Sequence, residues 1–236
     1  MSRDIIVVDI ETTGLHRAAV PLDVAAINLT TGAEFSFVPY VSREHLAEAE
    51  PTALKVNRYY ERGVFERMLD PAASGSAYWT LKEWLKGNTL AGSNPTFDDA
   101  RLPRWVAEER HHRLLDLSAY AAGVLGTPPN ELEGLHTVCE RLGVVNEDPH
   151  SALGDARATA ECFRRLAASI TSGPRVFSSL TKVPEGVVVV DKDGDRWKHA
   201  GGEVFVNWYD EDYGDWEHSH PNSETRDVYA PFTEVS

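Results

Sequence analysis

An apolar run near the N-terminus leads directly into two acidic residues on what should be a buried strand. Residues 5–8 are Ile-Ile-Val-Val, a β-branched run that is typical of a strand covered on both faces. Asp9 and Glu11 follow two positions apart, so their side chains point to the same face. Neighbouring buried carboxylates repel each other. A divalent cation is the usual compensation, and oxygen ligands favour Mg²⁺ or Mn²⁺ over zinc.

Two later segments add acidic residues at the starts of helices. Asp98 follows the turn at Asn94-Pro95, and Asp155 falls in the first turn of the long final helix, one and a half turns after His150. Either acid alone would be ordinary, because a carboxylate near a helix N-terminus is stabilised by the helix dipole. Together with the two strand acids, they predict a carboxylate cage for divalent metal with a histidine beside it.

These three segments resemble the motifs of the DEDDh branch of the DnaQ-like 3′–5′ exonucleases, in the ribonuclease H-like superfamily. The pattern Asp-x-Glu-Thr-Thr-Gly-Leu is met by residues 9–15, Asn-x-x-Phe-Asp by 94–98 and His-x4-Asp by 150–155. The resemblance extends over about residues 4–170. This chain departs from the family pattern at Ser93, where histidine is frequent, and at Asp23, where glutamate is frequent.

The resemblance implies hydrolysis with two divalent metal ions, Mg²⁺ or Mn²⁺. In that scheme Asp9 bridges the ions, and Asp98 supports the second site. Glu11 and Asp155 hold the ion that activates water, and His150 is the general base. An imidazole suits this role because it can exchange a proton near neutral pH. The predicted catalytic residues are therefore His150 and Glu11, and the predicted metal ligands are Asp9, Glu11, Asp98 and Asp155.

The expected substrate is a single-stranded end that enters beside the turn after the first strand. Backbone amides of Thr12, Thr13 and Gly14 would meet the sugar or phosphate. Leu15 would pack on the terminal base, and Phe97 could stack on it, although both residue types are also common in cores. Asn94 is predicted either to position the substrate or to cap the following helix.

The predicted function is release of nucleoside 5′-monophosphates from single-stranded 3′ ends, with DNA slightly favoured over RNA. Two alternatives remain open. One is an accessory or proofreading module that binds a polymerase or replication partner. The other is an RNA-trimming enzyme similar to oligoribonuclease or ribonuclease T.

The pattern of elements predicts an α/β protein with two domains. Three strands followed by helix–strand alternation favour a ribonuclease H-like mixed five-stranded sheet flanked by helices, at residues 1–172. The last helix of this part is expected to break at 171–174. Period-two β-branched runs then predict a small β-rich appendage at 180–236. The predicted strands are 4–10, 23–29, 34–38, 90–92 and 114–116, and the predicted helices are 51–57, 74–86, 97–110, 117–125, 132–142 and 153–170.

Composition narrows the range of partners. The formal charge of −14 argues against a protein that coats nucleic acid, which usually carries a basic surplus. The acidic surplus is concentrated in residues 180–236, with 5 Lys and Arg against 13 Asp and Glu. This region is rich in aromatic residues. Contact with a protein, or packing of these residues in a small core, is favoured over nucleic-acid binding, and a replication or repair protein is the partner considered.

The expected location is the cytoplasm. The N-terminus lacks the pattern of a signal peptide, and the two cysteines do not suggest a disulfide framework. No run of about 18 apolar residues occurs, so no association with a membrane is expected.

Overall fold

The computed structural model describes residues 3–171, 175–201, 204–208, 216–219 and 230–235. The chain divides into two compact units, residues 1–169 and 170–236. Within the described ranges, no helix combines the length and the apolar character needed to cross a bilayer. The domain limits 1–172 and 180–236 remain predictions.

The first unit is built on a mixed sheet whose central strand carries the acidic pair. Strand β1 pairs antiparallel with β2 and parallel with β4, giving the order β3-β2-β1-β4-β5. The predicted mixed five-stranded sheet flanked by helices is confirmed. The strands are β1 Ile5–Thr12, β2 Pro21–Asn28, β3 Glu34–Phe37, β4 Thr89–Gly92 and β5 Leu115–Asp116.

Eight α-helices in the described residues surround this sheet. They are α1 Arg43–Ala47, α2 Pro51–Val56, α3 Pro71–Leu85, α4 Pro95–Asp99, α5 Arg104–Ala107, α6 Leu117–Leu125, α7 Leu135–Leu142 and α8 Ala152–Thr171. A 3-10 helix spans Val64–Arg67. Neither α1 nor the 3-10 helix was predicted, because such short elements carry no apolar periodicity.

Alternate residues of β1 contribute to two separate cores. Val7 packs in a cluster with residues of α6, α7 and α8. Ile6 and Val8 belong to a second cluster with residues of α3 and α5. Each fully buried side chain of this size stabilises the fold by about 1.5–3 kcal/mol. Asp9 and Glu11 continue the face of Val7, which is the face covered by α8.

The prediction of one helix over 97–110 is wrong. The segment forms two short helices, α4 and α5, separated around Pro103. Proline lacks an amide donor and disfavours helical backbone at the preceding residue, so the first helix cannot continue. Leu102 and Val106 nevertheless both enter the same buried cluster, which explains their helix-like spacing.

The second unit contains a small antiparallel sheet, and the predicted β-rich appendage is confirmed. Its strands are β6 Val176–Phe177, β7 Val188–Val190, β8 Arg196–Gly201, β9 Val204–Trp208, β10 Trp216–Ser219 and β11 Phe232–Glu234. Their order is β10-β9-β8-β7-β11-β6. Leu180, Val183, Val189, Trp197 and Phe232 form its described core.

Close packing at the start of α8 folds the His150 loop back onto the helix. The Ser151 hydroxyl donates to the Asp148 carbonyl at 2.8 Å and accepts from the Gly154 amide at 3.0 Å. A Cβ added at Gly154 would lie 2.2 Å from the Asp148 carbonyl oxygen. Only glycine therefore allows this approach.

We expect Gly154→Ala to lower the free energy of unfolding by about 1–3 kcal/mol, because the added methyl group must displace backbone. The direction of this change distinguishes packing from helix propensity, since alanine normally stabilises a helix by about 1 kcal/mol relative to glycine. Gly75→Ala in α3 is the matched control, because a Cβ there meets nothing within 4 Å among the described residues. Urea unfolding should show Gly75→Ala unchanged or stabilised. Equal stabilisation by both substitutions would contradict the packing argument.

Candidate active site

Three elements bring the four predicted carboxylates to one end of the central strand. Asp9 and Glu11 lie on β1 itself. Because β4 runs parallel to β1, helix α4 starts beside the end of β1 and brings Asp98 to it. The Ile10 amide donates to Asp98 Oδ1 at 2.9 Å, which fixes this buried carboxylate against the strand. Asp155 comes from the first turn of α8.

Glu11, His150 and Asp155 lie close enough together to hold a metal ion. One potential ligand atom from each lies within 4.8 Å of those from the other two. Asp9 interacts electrostatically with Asp98, Asp155 and Glu11. The structure therefore brings all five predicted catalytic and metal-binding residues together.

Burial makes ionisation of the carboxylates in this site less favourable than in water. Burial, followed by the charge of Asp98, raises the pKa of Asp9 well above its usual range. Burial and the charge of Asp155 raise the pKa of Glu11 to about 7. Burial also raises the pKa of Asp98 to about 7, although the hydrogen bond from Ile10 opposes it. Several carboxylates that repel one another, with one imidazole beside them, form a ligand set that suits a hard divalent cation.

Asp155 is oriented from two sides. Asn146 Nδ2 donates to Asp155 Oδ1 at 2.5 Å, and the His150 amide donates to Oδ2 at 3.2 Å. Burial raises the pKa of Asp155, while these contacts act against the rise. His150 adopts left-handed backbone with φ of 60°, and its side chain is exposed. The exposed ring can thus meet a substrate while its backbone is held.

The turn after β1 opens onto a cavity of about 310 Å³ that includes Glu11, Leu15, Asn57 and Phe97 in its wall. Leu15 is 76% exposed, so a core role for this side chain is excluded. Phe97 is partly buried. These two apolar side chains border a cavity that adjoins the carboxylates.

The predicted turn residues are largely committed to the turn itself. The Thr12 hydroxyl donates to the Gly14 carbonyl at 2.7 Å, and the Thr13 hydroxyl accepts from the Val20 amide at 3.0 Å. A Cβ at Gly14 would lie 2.7 Å from Glu50 Cδ, so glycine permits close packing here. Only Thr12 of the three lines the cavity, and both threonine side chains are buried. The Thr13 amide donates to the Val20 carbonyl at 3.0 Å, so it is engaged within the turn.

Neighbouring residues on α4 have separate roles. Asp98 faces β1, whereas Asp99 pairs with Arg110 at 2.5 Å. Asn94 lies in left-handed backbone with φ of 72°, and its side chain makes no capping hydrogen bond in the described part of the chain. The helix-capping alternative for the Asn94 side chain is therefore not realised.

Arg101 is a site residue that the sequence did not reveal. Its guanidinium lies 3.6 Å from the centre of the Phe97 ring and donates to the Leu15 carbonyl at 3.0 Å. It thereby joins the two apolar borders of the cavity. Its position four residues after Phe97 was the local signal, since such pairs share a helix face. The contact with Leu15 had no local signal.

Solved structures show the same fold. The zinc-bound E. coli exonuclease I complex with single-stranded DNA matches with a TM-score of 0.56 and 16% identity, over 87% of this chain and 54% of that one. Exonuclease I from Methylocaldum szegediense matches with a TM-score of 0.54 and 19% identity, over 77% of this chain and 49% of that one. This chain thus spans about half the length of those enzymes.

A third structure concerns recognition of the 3′ end of the histone mRNA stem-loop by a 3′-exonuclease. Its TM-score is 0.51 at 14% identity, covering 71% of this chain and 84% of that one. At these identities the likeness shows the fold. No curated protein sequence matches this chain significantly.

A family model identifies the family of this chain as well as its fold. The model of the RNase_T family, described as exonuclease, matches residues 6–163 and so includes all three acidic segments. The matched region is most of the first compact unit, and the resemblance predicted from the motifs is confirmed. This chain therefore belongs to the RNase_T exonuclease family.

Proposed function

We propose that this protein is a metal-dependent 3′–5′ exonuclease that releases nucleoside 5′-monophosphates from single-stranded nucleic acid. The observation that carries this proposal is the group of buried carboxylates next to the exposed His150, at the edge of an open cavity. Family membership supports it, and so does the fold shared with E. coli exonuclease I, whose structures include complexes with single-stranded DNA.

Two divalent ions, Mg²⁺ or Mn²⁺, are the proposed cofactors. Asp9, Glu11, Asp98 and Asp155 would hold them through carboxylate oxygens. When bound, such ions stabilise the charge that develops on the reacting phosphate and on the leaving oxygen. Their binding would also favour the ionised form of these carboxylates, whose pKa values are raised by burial first and by neighbouring negative charge second.

The protein's own residues then have distinct tasks. An imidazole nitrogen of His150 accepts a proton from the attacking water. The water oxygen bonds to phosphorus as the bond to the leaving 3′-oxygen breaks, and that oxygen finally takes up a proton. The terminal base lies between Leu15 and Phe97, which Arg101 holds in place. Within the Thr12–Gly14 turn, Thr12 borders the cavity and lies against the sugar, and Asn94 faces the chain entering the site.

DNA is the proposed preferred substrate. Exonuclease I structures of this fold contain a dA16 or a dT13 oligonucleotide. A 3′-exonuclease of this fold, by contrast, recognises the 3′ end of the histone mRNA stem-loop. An RNA-trimming enzyme is the second candidate, favoured by that last likeness. A replication or repair partner for residues 180–236 remains a prediction.

The first test uses single-stranded DNA and RNA oligonucleotides labelled at either end, with Mg²⁺ or Mn²⁺. We expect stepwise shortening from the 3′ end, faster on DNA, which stops with EDTA. The cleavage activity of Asp98→Asn should be as low as that of the wild type in EDTA, because the substitution removes a proposed metal ligand. Asp99→Asn is the matched control and should remain active per folded molecule, since Asp99 pairs with Arg110. Intact oligonucleotides in every wild-type reaction would refute the proposed function.

The second test follows thermal unfolding as a function of pH. The raised pKa values of about 7 for Glu11 and Asp98 mean that ionisation is harder in the folded than in the unfolded protein. In EDTA, stability should therefore fall as pH rises from about 4 to about 7. Mg²⁺ or Mn²⁺ should raise the Tm more at pH 8 than at pH 5, and Asp9→Asn should weaken this metal effect. A pH-independent metal effect would contradict the electrostatic assignment.

The third test concerns the general base. His150→Ala should lower kcat by about 10²–10⁴-fold, the usual contribution of a positioned base. The metal-induced rise in Tm should persist, because the four carboxylates remain. His136→Ala is the control, since that side chain lies exposed on α7. Unchanged kcat in His150→Ala would remove this residue from the mechanism.

A further inference from the structure

Arg62 links the second strand of the sheet to the loop that carries His150. Its Nη2 lies 3.3 Å from Asp23 Oδ2 on β2 and 3.6 Å from Asp148 Oδ2. Its Nη1 donates to the His150 carbonyl at 3.1 Å and to the Asn57 carbonyl at 3.3 Å. One guanidinium thus makes four contacts to three separate parts of the chain.

The environment of Arg62 differs from that of an ordinary surface arginine. Its side chain is 12% exposed, and that of Asp23 is 6% exposed. Arg58, which also pairs with Asp148, has a side chain that is 48% exposed. Exposed pairs contribute little to stability, whereas a buried pair imposes a defined geometry when its hydrogen bonds are satisfied. The planar guanidinium suits this role, since it presents several donors in fixed directions.

These contacts bear directly on the direction of the His150 ring. The His150 carbonyl is held by Arg62, and its amide is held by Asp155. The backbone between these two bonds is left-handed, a conformation that residues with a Cβ rarely adopt. Asp23 also lies opposite Glu11 in the β1–β2 register, so the anchor of Arg62 adjoins the site.

We propose that Arg62 is a positioning residue that anchors the His150 loop to Asp23 and so directs the imidazole towards the attacking water. This role rests on the proposed nuclease function and extends it. Arg62 and Asp23 lie outside the three acidic motifs. Arg62 acts through His150 rather than on the substrate. A displacement of the base by about 1 Å can lower a rate by about 10²-fold, so the anchor matters for catalysis.

The test measures kcat, KM and Tm for Arg62→Gln and Arg62→Lys, each alone and combined with His150→Ala. Arg62→Gln alone should lower kcat by about 10–100-fold with KM nearly unchanged, since misdirection of the base affects the chemical step. Arg62→Lys keeps a positive charge beside Asp23 and should fold, yet lose kcat, because an ammonium lacks the fork that reaches both Asp23 and the His150 carbonyl. In the His150→Ala background, neither substitution should lower kcat further.

Arg58→Gln is the matched control. It removes an arginine that also pairs with Asp148, but at an exposed position, and kcat should stay within about twofold of wild type. Three results would overturn the positioning role. They are full kcat in Arg62→Lys, equal losses with and without His150, and an equal loss in Arg58→Gln. If the wild-type protein cleaves no oligonucleotide, the proposed nuclease function fails, and the role of Arg62 fails with it.

Discussion

Burial of several acidic side chains close together at the end of β1 is the constraint on which the site depends. Burial and neighbouring charge raise the pKa values of Asp9, Glu11 and Asp98, so ionising these groups lowers the stability of the folded protein. The apolar clusters on both faces of the sheet offset that loss. Several carboxylates with raised pKa values beside a cavity are characteristic of functional sites.

Some residues of this site lie on helices and strands, and others lie in exposed connecting segments. The carboxylates stand on β1, α4 and α8, whose backbones are fixed by regular hydrogen bonding. Leu15 and His150 lie in connecting segments, where exposed side chains can meet a substrate. Arg101 and Arg62 tie these two segments to the framework. Two buried or partly buried arginines thus hold the exposed ends of an otherwise acidic site.

Prediction from sequence succeeded where a signal was local and failed where it was not. The five strands of the first sheet follow from apolar runs and turn residues, and their limits agree within a few residues. The segment 97–110 has helical spacing because Leu102, in the connection before α5, and Val106, on α5, enter one core, while Pro103 prevents a continuous helix. Arg101 and Arg62 escaped notice because their partners Leu15 and His150 are 86 and 88 positions away.

The sequence by itself determined the family and the set of acidic residues, because the spacing within each segment sets which side chains share a face. It placed Asp9 and Glu11 together on a strand and joined His150 to Asp155 at a helix start. Only the tertiary structure decided which neighbour does what. It turned Asp98 towards β1 and Asp99 towards Arg110, exposed Leu15, and placed Arg62 beneath the His150 loop. These outcomes depend on strand register and helix packing, which act between segments that are far apart in the chain.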